Sequence, residues 1–328
     1  MRRSALLAVA ALLAAAGPAG AVERLDGFNV IAAPAHPYGS TTAQASLFAV
    51  RRIGAKAIAV VPFLWQRNAG DPDVIRGSDL DDAELRLAIR DAHALGLKAI
   101  VKPHVWVQGS WAGAIAPRKP DVWFARYRDE LVRIAKVASQ EGADVFAIGT
   151  ELEKISAAPQ WTEVIAAVRA VYRGPITYIA HNVDEAEAVP FWRALDMVGV
   201  SLYPPLGPDG DRIGRLAAMT EMARRLDLVA ARAGKPLIVG EIGVRSAVGA
   251  AAKPWESAEE REAAPDPVLQ ADVLADWLTV LDRPAVRGVL VWRWFTDPMA
   301  GGPADTDFTV QGKAAQQLIA CKWAATCD

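Results

Sequence analysis

Cysteine is almost missing from this chain: its 328 residues hold two, Cys321 and Cys327. Two thiols cannot build a disulfide framework or a four-thiolate zinc site, so the core has to hold together by burial. Placed so close together, they could close one short loop of small stabilising effect in an oxidising compartment, or stay free. Histidine is scarce too. His36, His93, His104 and His181 are the whole set, with no tight ligand spacing and no His-Glu-x-x-His, which argues against a zinc hydrolase. There is no excess of charge either: the formal net charge is −2, and Lys and Arg are scattered among helices that also carry Asp and Glu. This argues against nucleic acid as a main partner, because phosphate binding wants a clustered basic surface. No Walker loop and no Gly-x-Ser-x-Gly elbow occurs. What the chain does have is apolar residues, at 52%, too many for a disordered protein. It also has 11 tryptophans, whose placement matters below.

The N-terminus reads as a targeting segment. Met1-Arg2-Arg3 is basic, Ala5 to Ala16 is an Ala/Leu/Val run, and Ala19-Gly20-Ala21 supplies small residues for cleavage. The run is shorter than the ~20 residues of a membrane span. The expectation is a signal peptide over 1–21 and a mature chain from Val22, periplasmic or secreted, with no span left after cleavage. An uncleaved anchor is the alternative.

From there one pattern repeats. Short β-rich runs at Gly27–Ile31, Ala57–Phe63, Lys98–His104, Asp144–Gly149, Ile176–Ala180, Met197–Tyr203, Leu237–Glu241 and Gly288–Trp292 each precede an amphipathic stretch. The stretches lie near 41–53, 79–95, 121–141, 160–172, 184–194, 211–233, 267–281 and 312–320. Runs such as Ala57-Ile58-Ala59-Val60-Val61 are apolar throughout, as strands covered on both faces must be. Gly96, Gly142 and Gly234 follow helices as stop signals. Eight β-then-α units with no compositional break predict a single-domain α/β fold, a (β/α)8 barrel over 22–328. A doubly wound open sheet is the competitor, weakened by the lack of Gly-x-Gly-x-x-Gly after the first strand. The irregular stretch 242–266 would overhang the active face.

In a barrel, function sits where strands end. Phe146-Ala147-Ile148-Gly149-Thr150-Glu151 and Ile238-Val239-Gly240-Glu241 each put a glutamate directly after a buried strand. A charge there costs several kcal/mol unless paired or used. Two carboxyls across a cleft can split a glycosidic bond, one donating a proton and the other attacking or activating water. Indoles fit the same chemistry as platforms for sugar C–H faces. Trp65, Trp106, Trp111, Trp292 and Trp294 lie at or past strand ends, whereas Trp192, Trp277 and Trp323 suit the core. Strict strand alternation would turn Trp292 and Trp294 to one side. His104, Asn182 and Tyr203 end three further strands and can hydrogen-bond sugar hydroxyls or a carboxylate.

At these residues the chain resembles clan A of the glycoside hydrolases. It is most similar to family 113, retaining endo-β-1,4-mannanases, on stretches that run almost the full mature length. These include Gly27-Phe28-Asn29, Lys102-Pro103-His104-Val105-Trp106, Gly149-Thr150-Glu151-Leu152-Glu153, Ser201-Leu202-Tyr203-Pro204-Pro205, Gly240-Glu241-Ile242-Gly243 and Trp292-Arg293-Trp294. The resemblance implies Glu151 as acid/base, so with a raised pKa, and Glu241 as nucleophile. Glu153 rivals Glu151 but suits a helix start. Thr150 stands where the clan usually has an Asn that binds the sugar 2-hydroxyl. By the same reading Tyr203 orients Glu241, His104 and Asn182 hold sugar hydroxyls, and Trp292 or Trp294 floors the cleaved sugar's subsite. The expected partner is a β-linked polysaccharide, mannan first, met by a monomer with no metal or organic cofactor. A non-catalytic carbohydrate-binding barrel and a hydrolase of another envelope exopolysaccharide are the competing readings.

Overall fold

A computed structural model describes residues 24–324. The expected signal segment 1–21, its cleavage site and Cys327, hence the Cys321–Cys327 question, lie outside the described residues. In chain order the elements are β1 (Gly27–Ile31), α1 (Thr41–Arg52), β2 (Ala57–Val60), β3 (Phe63–Gln66), β4 (Ile75–Arg76), α2 (Asp82–Ala94), β5 (Lys98–Val101), β6 (His104–Val107), α3 (Pro120–Gln140) and β7 (Val145–Thr150). Then come α4 (Trp161–Val171), β8 (Ile176–His181), α5 (Asn182–Ala188), β9 (Val198–Leu202), α6 (Arg212–Ala233), β10 (Leu237–Ile242), α7 (Pro267–Val280), β11 (Val286–Phe295) and α8 (Ala314–Ala324). Eight parallel strands close in the order β1-β11-β10-β9-β8-β7-β5-β2, which is the expected (β/α)8 barrel.

Alternation within continuously apolar strands splits the core in two. Ala57, Ala59, Ile100, Val145, Ala147, Ile179, Met197, Ile238 and Leu290 fill the barrel interior. Their neighbours Ile58, Val60, Val101, Phe146 and Val239 pack outward against the helices. At Gly27 a Cβ would lie 1.8 Å from the Ala57 carbonyl oxygen, so only glycine lets β1 and β2 approach there. Four helices, α1, α2, α6 and α7, start on side-chain caps: Ser40, Asp81, Asp211 and Asp266 each accept a backbone N–H of the first turn.

Three expected elements are divided in the structure, each at a proline. The runs Ala57–Phe63 and Lys98–His104 are not single strands. Pro62 and Pro103 cannot donate to a ladder, so β2 and β5 stop short of them. The chain then resumes as β3 and β6, which leave the barrel and pair with each other beside β4 in a small separate sheet. The stretch 184–194 ends as a helix at Ala188, before Pro190, and a 3-10 turn over Trp192–Ala194 follows. The irregular stretch after β10 is pinned down by Arg245. Its buried guanidinium donates to the carbonyls of Ser257, Arg261 and Thr306. Among the described residues no helix is long and apolar enough to cross a membrane.

Candidate active site

Glu241 is the penultimate residue of β10 and is buried. Its Oε1 accepts from the Lys102 ammonium, which is itself fully buried at the end of β5. Its Oε2 accepts from the Tyr203 hydroxyl at 2.9 Å. A buried carboxylate with a counter-charge on one oxygen and a hydrogen bond on the other is held in one orientation. Burial, and then the charge of Glu151, push its pKa up, while Lys102 and Tyr203 stabilise the ionised form.

Glu151 directly follows β7, with a backbone φ of 57°. Left-handed backbone at a non-glycine residue costs about 1–3 kcal/mol and persists only where its surroundings impose it. Here the Glu151 N–H donates to the Ile179 carbonyl at 2.7 Å, and the Leu152 N–H donates to the Tyr178 hydroxyl at 2.9 Å. One Glu151 oxygen lies 3.2 Å from His181 Nδ1. Burial pushes this carboxyl up, but the His181 hydrogen bond and the positive charges of His181, His104 and Lys102, where the two imidazoles are protonated, prevail and hold its pKa down to about 2. The raised pKa expected of an acid/base residue is therefore not what the substrate-free site has. The rival Glu153 is exposed and opens a 3-10 turn, as its position suggested.

The two carboxyls share one electrostatic neighbourhood. The charge of Lys102 acts on both Glu241 and Glu151, and that of Glu151 acts on Glu241 and Tyr203. His104 lies in the same field: burial and then Lys102 lower its pKa to about 4, so it is a neutral imidazole near neutral pH. Its Nδ1 is buried and has no hydrogen-bond partner. Trp292 flanks Lys102, whose Nζ sits 5.3 Å from the indole centroid.

Three expected sugar contacts are placed otherwise. Trp294 is 2% exposed, donates its Nε1–H to Ser46 Oγ and packs on Phe28, so it is core and not the floor of a subsite. The cause is a register shift. Asn29 pairs with Trp292 but the next residue, Val30, pairs with Trp294, so Arg293 bulges and the two indoles part company. Thr150 is buried and its hydroxyl donates to the Pro103 carbonyl at 3.0 Å, which commits its one proton to the backbone. Asn182 has both ends of its carboxamide engaged, Oδ1 by the Tyr203 N–H and Nδ2 by His181.

The remaining indoles stay open. Trp65, Trp106 and Trp111 are exposed large apolar side chains. β3 and β6 pair Phe63 with His104 and Trp65 with Trp106, so these four rings occupy one face of the small sheet. Trp65 and Trp106 lie 5.9 Å apart, and the row runs from His104 in the cleft outward. Trp111 packs at 4.7 Å on the His181 ring. Sequence reasoning missed two residues of the centre. Lys102 ends a buried apolar strand, the same signal that singled out the glutamates. His181 was weighed only as a metal ligand. Among the described residues no group of three or more His, Cys, Asp or Glu is placed to hold a metal.

A closed (β/α)8 barrel with an oriented glutamate pair at its strand ends and indoles beside them defines a glycoside hydrolase. The sequence profile of Glycoside Hydrolase Family 113 matches residues 29–313, and the chain belongs to that family. Among solved structures, the family 113 β-mannanase AaManA of Alicyclobacillus acidocaldarius is 26% identical with a TM-score of 0.82, covering 93% of this chain and 98% of that one. A family 113 β-1,4-mannanase solved as a complex is 28% identical at a TM-score of 0.81, covering 92% and 99%. A β-glucuronidase of Ruminococcus gnavus, 12% identical with a TM-score of 0.62, matches 92% of this chain and 49% of its own, and shares the fold alone. No curated protein matches the chain.

Proposed function

We propose that this glycoside hydrolase cleaves β-1,4-mannan internally, with retention of configuration. The observation that carries the reading is the contrast between the two glutamates. Glu241 is locked by Lys102 and Tyr203 in the manner of a nucleophile that must not turn, while Glu151 is held by a single hydrogen bond from a neighbouring ring. Similarity to β-1,4-mannanases over nearly the whole chain supports the choice of polymer.

The steps are those of double displacement. Glu241 attacks the anomeric carbon and forms the glycosyl ester as the glycosidic C–O bond breaks. Glu151 gives its proton to the departing oxygen. It then takes a proton from water, whose oxygen displaces Glu241 and restores the enzyme. The productive form carries a proton on Glu151 and a charge on Glu241, against the tendency of the substrate-free site. Bound sugar supplies the correction: it displaces water from Glu151, and its glycosidic oxygen accepts a hydrogen bond that only the protonated carboxyl can donate. Trp292 would lie under the cleaved sugar, with His104 holding a hydroxyl. The outward row of Trp106 and Trp65 suits a chain longer than one sugar.

The test is a reducing-end assay across mannan, glucan, xylan and glucosamine polymers, with NMR of the first-formed anomer. Mannan should be preferred and the β-anomer should appear first. Initial α-anomer would overturn double displacement, and turnover of another polymer alone would overturn the mannan assignment. Turnover of none would leave a binding barrel.

We further propose that the enzyme acts outside the cytoplasm, from the basic start, apolar run and Ala19-Gly20-Ala21. Protein recovered from periplasm or medium should begin Val-Glu-Arg-Leu on N-terminal sequencing. An intact Met1 there would show that the segment is retained.

A further inference from the structure

We infer that His181 and Asn182 form a hydrogen-bond relay of fixed polarity that positions Glu151 and ties it to Tyr203, the residue that orients Glu241. The relay rests on the reading of Glu151 and Glu241 as the reacting pair, though its polarity follows from hydrogen-bond chemistry alone.

The polarity is set at one end by a group with no choice. The backbone N–H of Tyr203 can only donate, and it meets Asn182 Oδ1 at 2.8 Å. That fixes which way the carboxamide faces and leaves its NH2 toward His181 Nε2, at 2.9 Å. An amide NH2 can only donate, so Nε2 has to accept and carries no proton. The ring proton therefore sits on Nδ1, 3.2 Å from Glu151 Oε1, and is donated to that carboxylate. Since the Tyr203 hydroxyl donates to Glu241, one tyrosine joins both glutamates, through its ring on one side and its backbone on the other.

The surroundings hold the relay in place. Asn182 has a backbone φ of 54°, a conformation asparagine accepts more readily than most residues. The His181 N–H donates to Glu185, whose other oxygen accepts from the Tyr178 hydroxyl at 2.6 Å. That hydroxyl in turn accepts the Leu152 N–H, one residue beyond Glu151. Trp111 packs at a tilt against the imidazole.

Asn182 also decides the charge of the ring. Burial lowers the His181 pKa, but the carboxylates of Glu151, Glu153 and Glu185 outweigh it and favour an imidazolium. Lys102 and His104 also act on Glu151. An imidazolium would need a proton on Nε2, where the Asn182 NH2 already points. It would also pin Glu151 in its ionised form, useless for protonating a leaving group. A neutral Nδ1–H donor orients the carboxyl without adding a full positive charge.

The experiment is 15N NMR of the histidine-labelled full-length enzyme, with the His181 signals assigned by their loss in His181→Gln. At neutral pH His181 should be neutral with its proton on Nδ1. Asn182→Asp keeps an oxygen for the Tyr203 N–H but sets an acceptor against Nε2. There His181 should become doubly protonated, and the alkaline limb of kcat, which reports the substrate-bound enzyme, should move down by about 1–3 pH units as the new charge favours ionised Glu151. His181→Gln, which can still donate to Glu151, should keep more kcat than His181→Leu. The other three histidines report whether each variant is folded. An imidazolium or an Nε2–H tautomer in the unmodified enzyme overturns the relay. So does an Asn182→Asp spectrum and pH profile that do not move. An enzyme inactive on every polymer but showing the Nδ1–H signature would sink the mannanase reading and leave the relay's polarity standing.

Discussion

Glu241→Ala is expected to abolish turnover of the polymer and to weaken the fold at once. Without the carboxylate the first displacement has no nucleophile, and the Lys102 ammonium stays fully buried without its hydrogen-bonded counter-charge. Removing one partner of a buried ion pair costs about 3–5 kcal/mol. Chemical denaturation of Glu241→Ala should show a loss of that size. Glu241→Gln preserves the volume and serves as the variant that still folds for kinetics. Replacing both partners with apolar residues, as in Lys102→Met with Glu241→Leu, should recover most of the stability and none of the activity. With an activated aryl mannoside, azide could only attack the anomeric carbon directly and give an inverted azide product. Near-normal polymer hydrolysis by Glu241→Gln would show the pair to be structural.

Glu151→Ala should behave differently, because it removes a proton donor and leaves the nucleophile in place. On polymer, kcat should fall by about 10²–10⁴-fold, the usual worth of general acid–base catalysis. A nitrophenyl mannoside needs little protonic help to leave, so the glycosyl ester on Glu241 should still form and then hydrolyse slowly. Added azide should discharge it to a mannosyl azide of retained configuration. Retained product from the Glu241 variant and inverted product from the Glu151 variant would mean that the two roles are exchanged.

The barrel and both glutamates were readable because each leaves a local mark. Apolar runs bounded by turn residues repeat at the βα spacing, and a carboxylate directly after such a run is costly enough to need a reason. Tyr203 was readable on the same grounds, and its hydroxyl does reach Glu241. What stayed hidden depended on partners far away in the chain. Trp294 looked like a neighbour of Trp292 because strict alternation says so, and only the pairing with β1 reveals the extra residue between them. Thr150 and Asn182 are polar residues at strand ends and so resembled sugar ligands. Their side chains are used within the protein, by Pro103, Tyr203 and His181. Lys102 carried the right signal, but a lysine there gains its meaning only from Glu241, 139 positions later in the chain.

The prolines that end β2 and β5 have a consequence for how the cleft could change length. Because β3 and β6 are paired strands and not loops, their aromatic face is a ruled surface whose spacing is dictated by the ladder. Each further pair of residues added to both strands would advance that face by ~6.6 Å and present one more facing pair of side chains on the same side. The barrel ring would be untouched, since Pro62 and Pro103 already uncouple the two sheets. Reach along a polymer is thus a modular property here, adjustable in fixed steps without disturbing the two carboxylates at the strand ends.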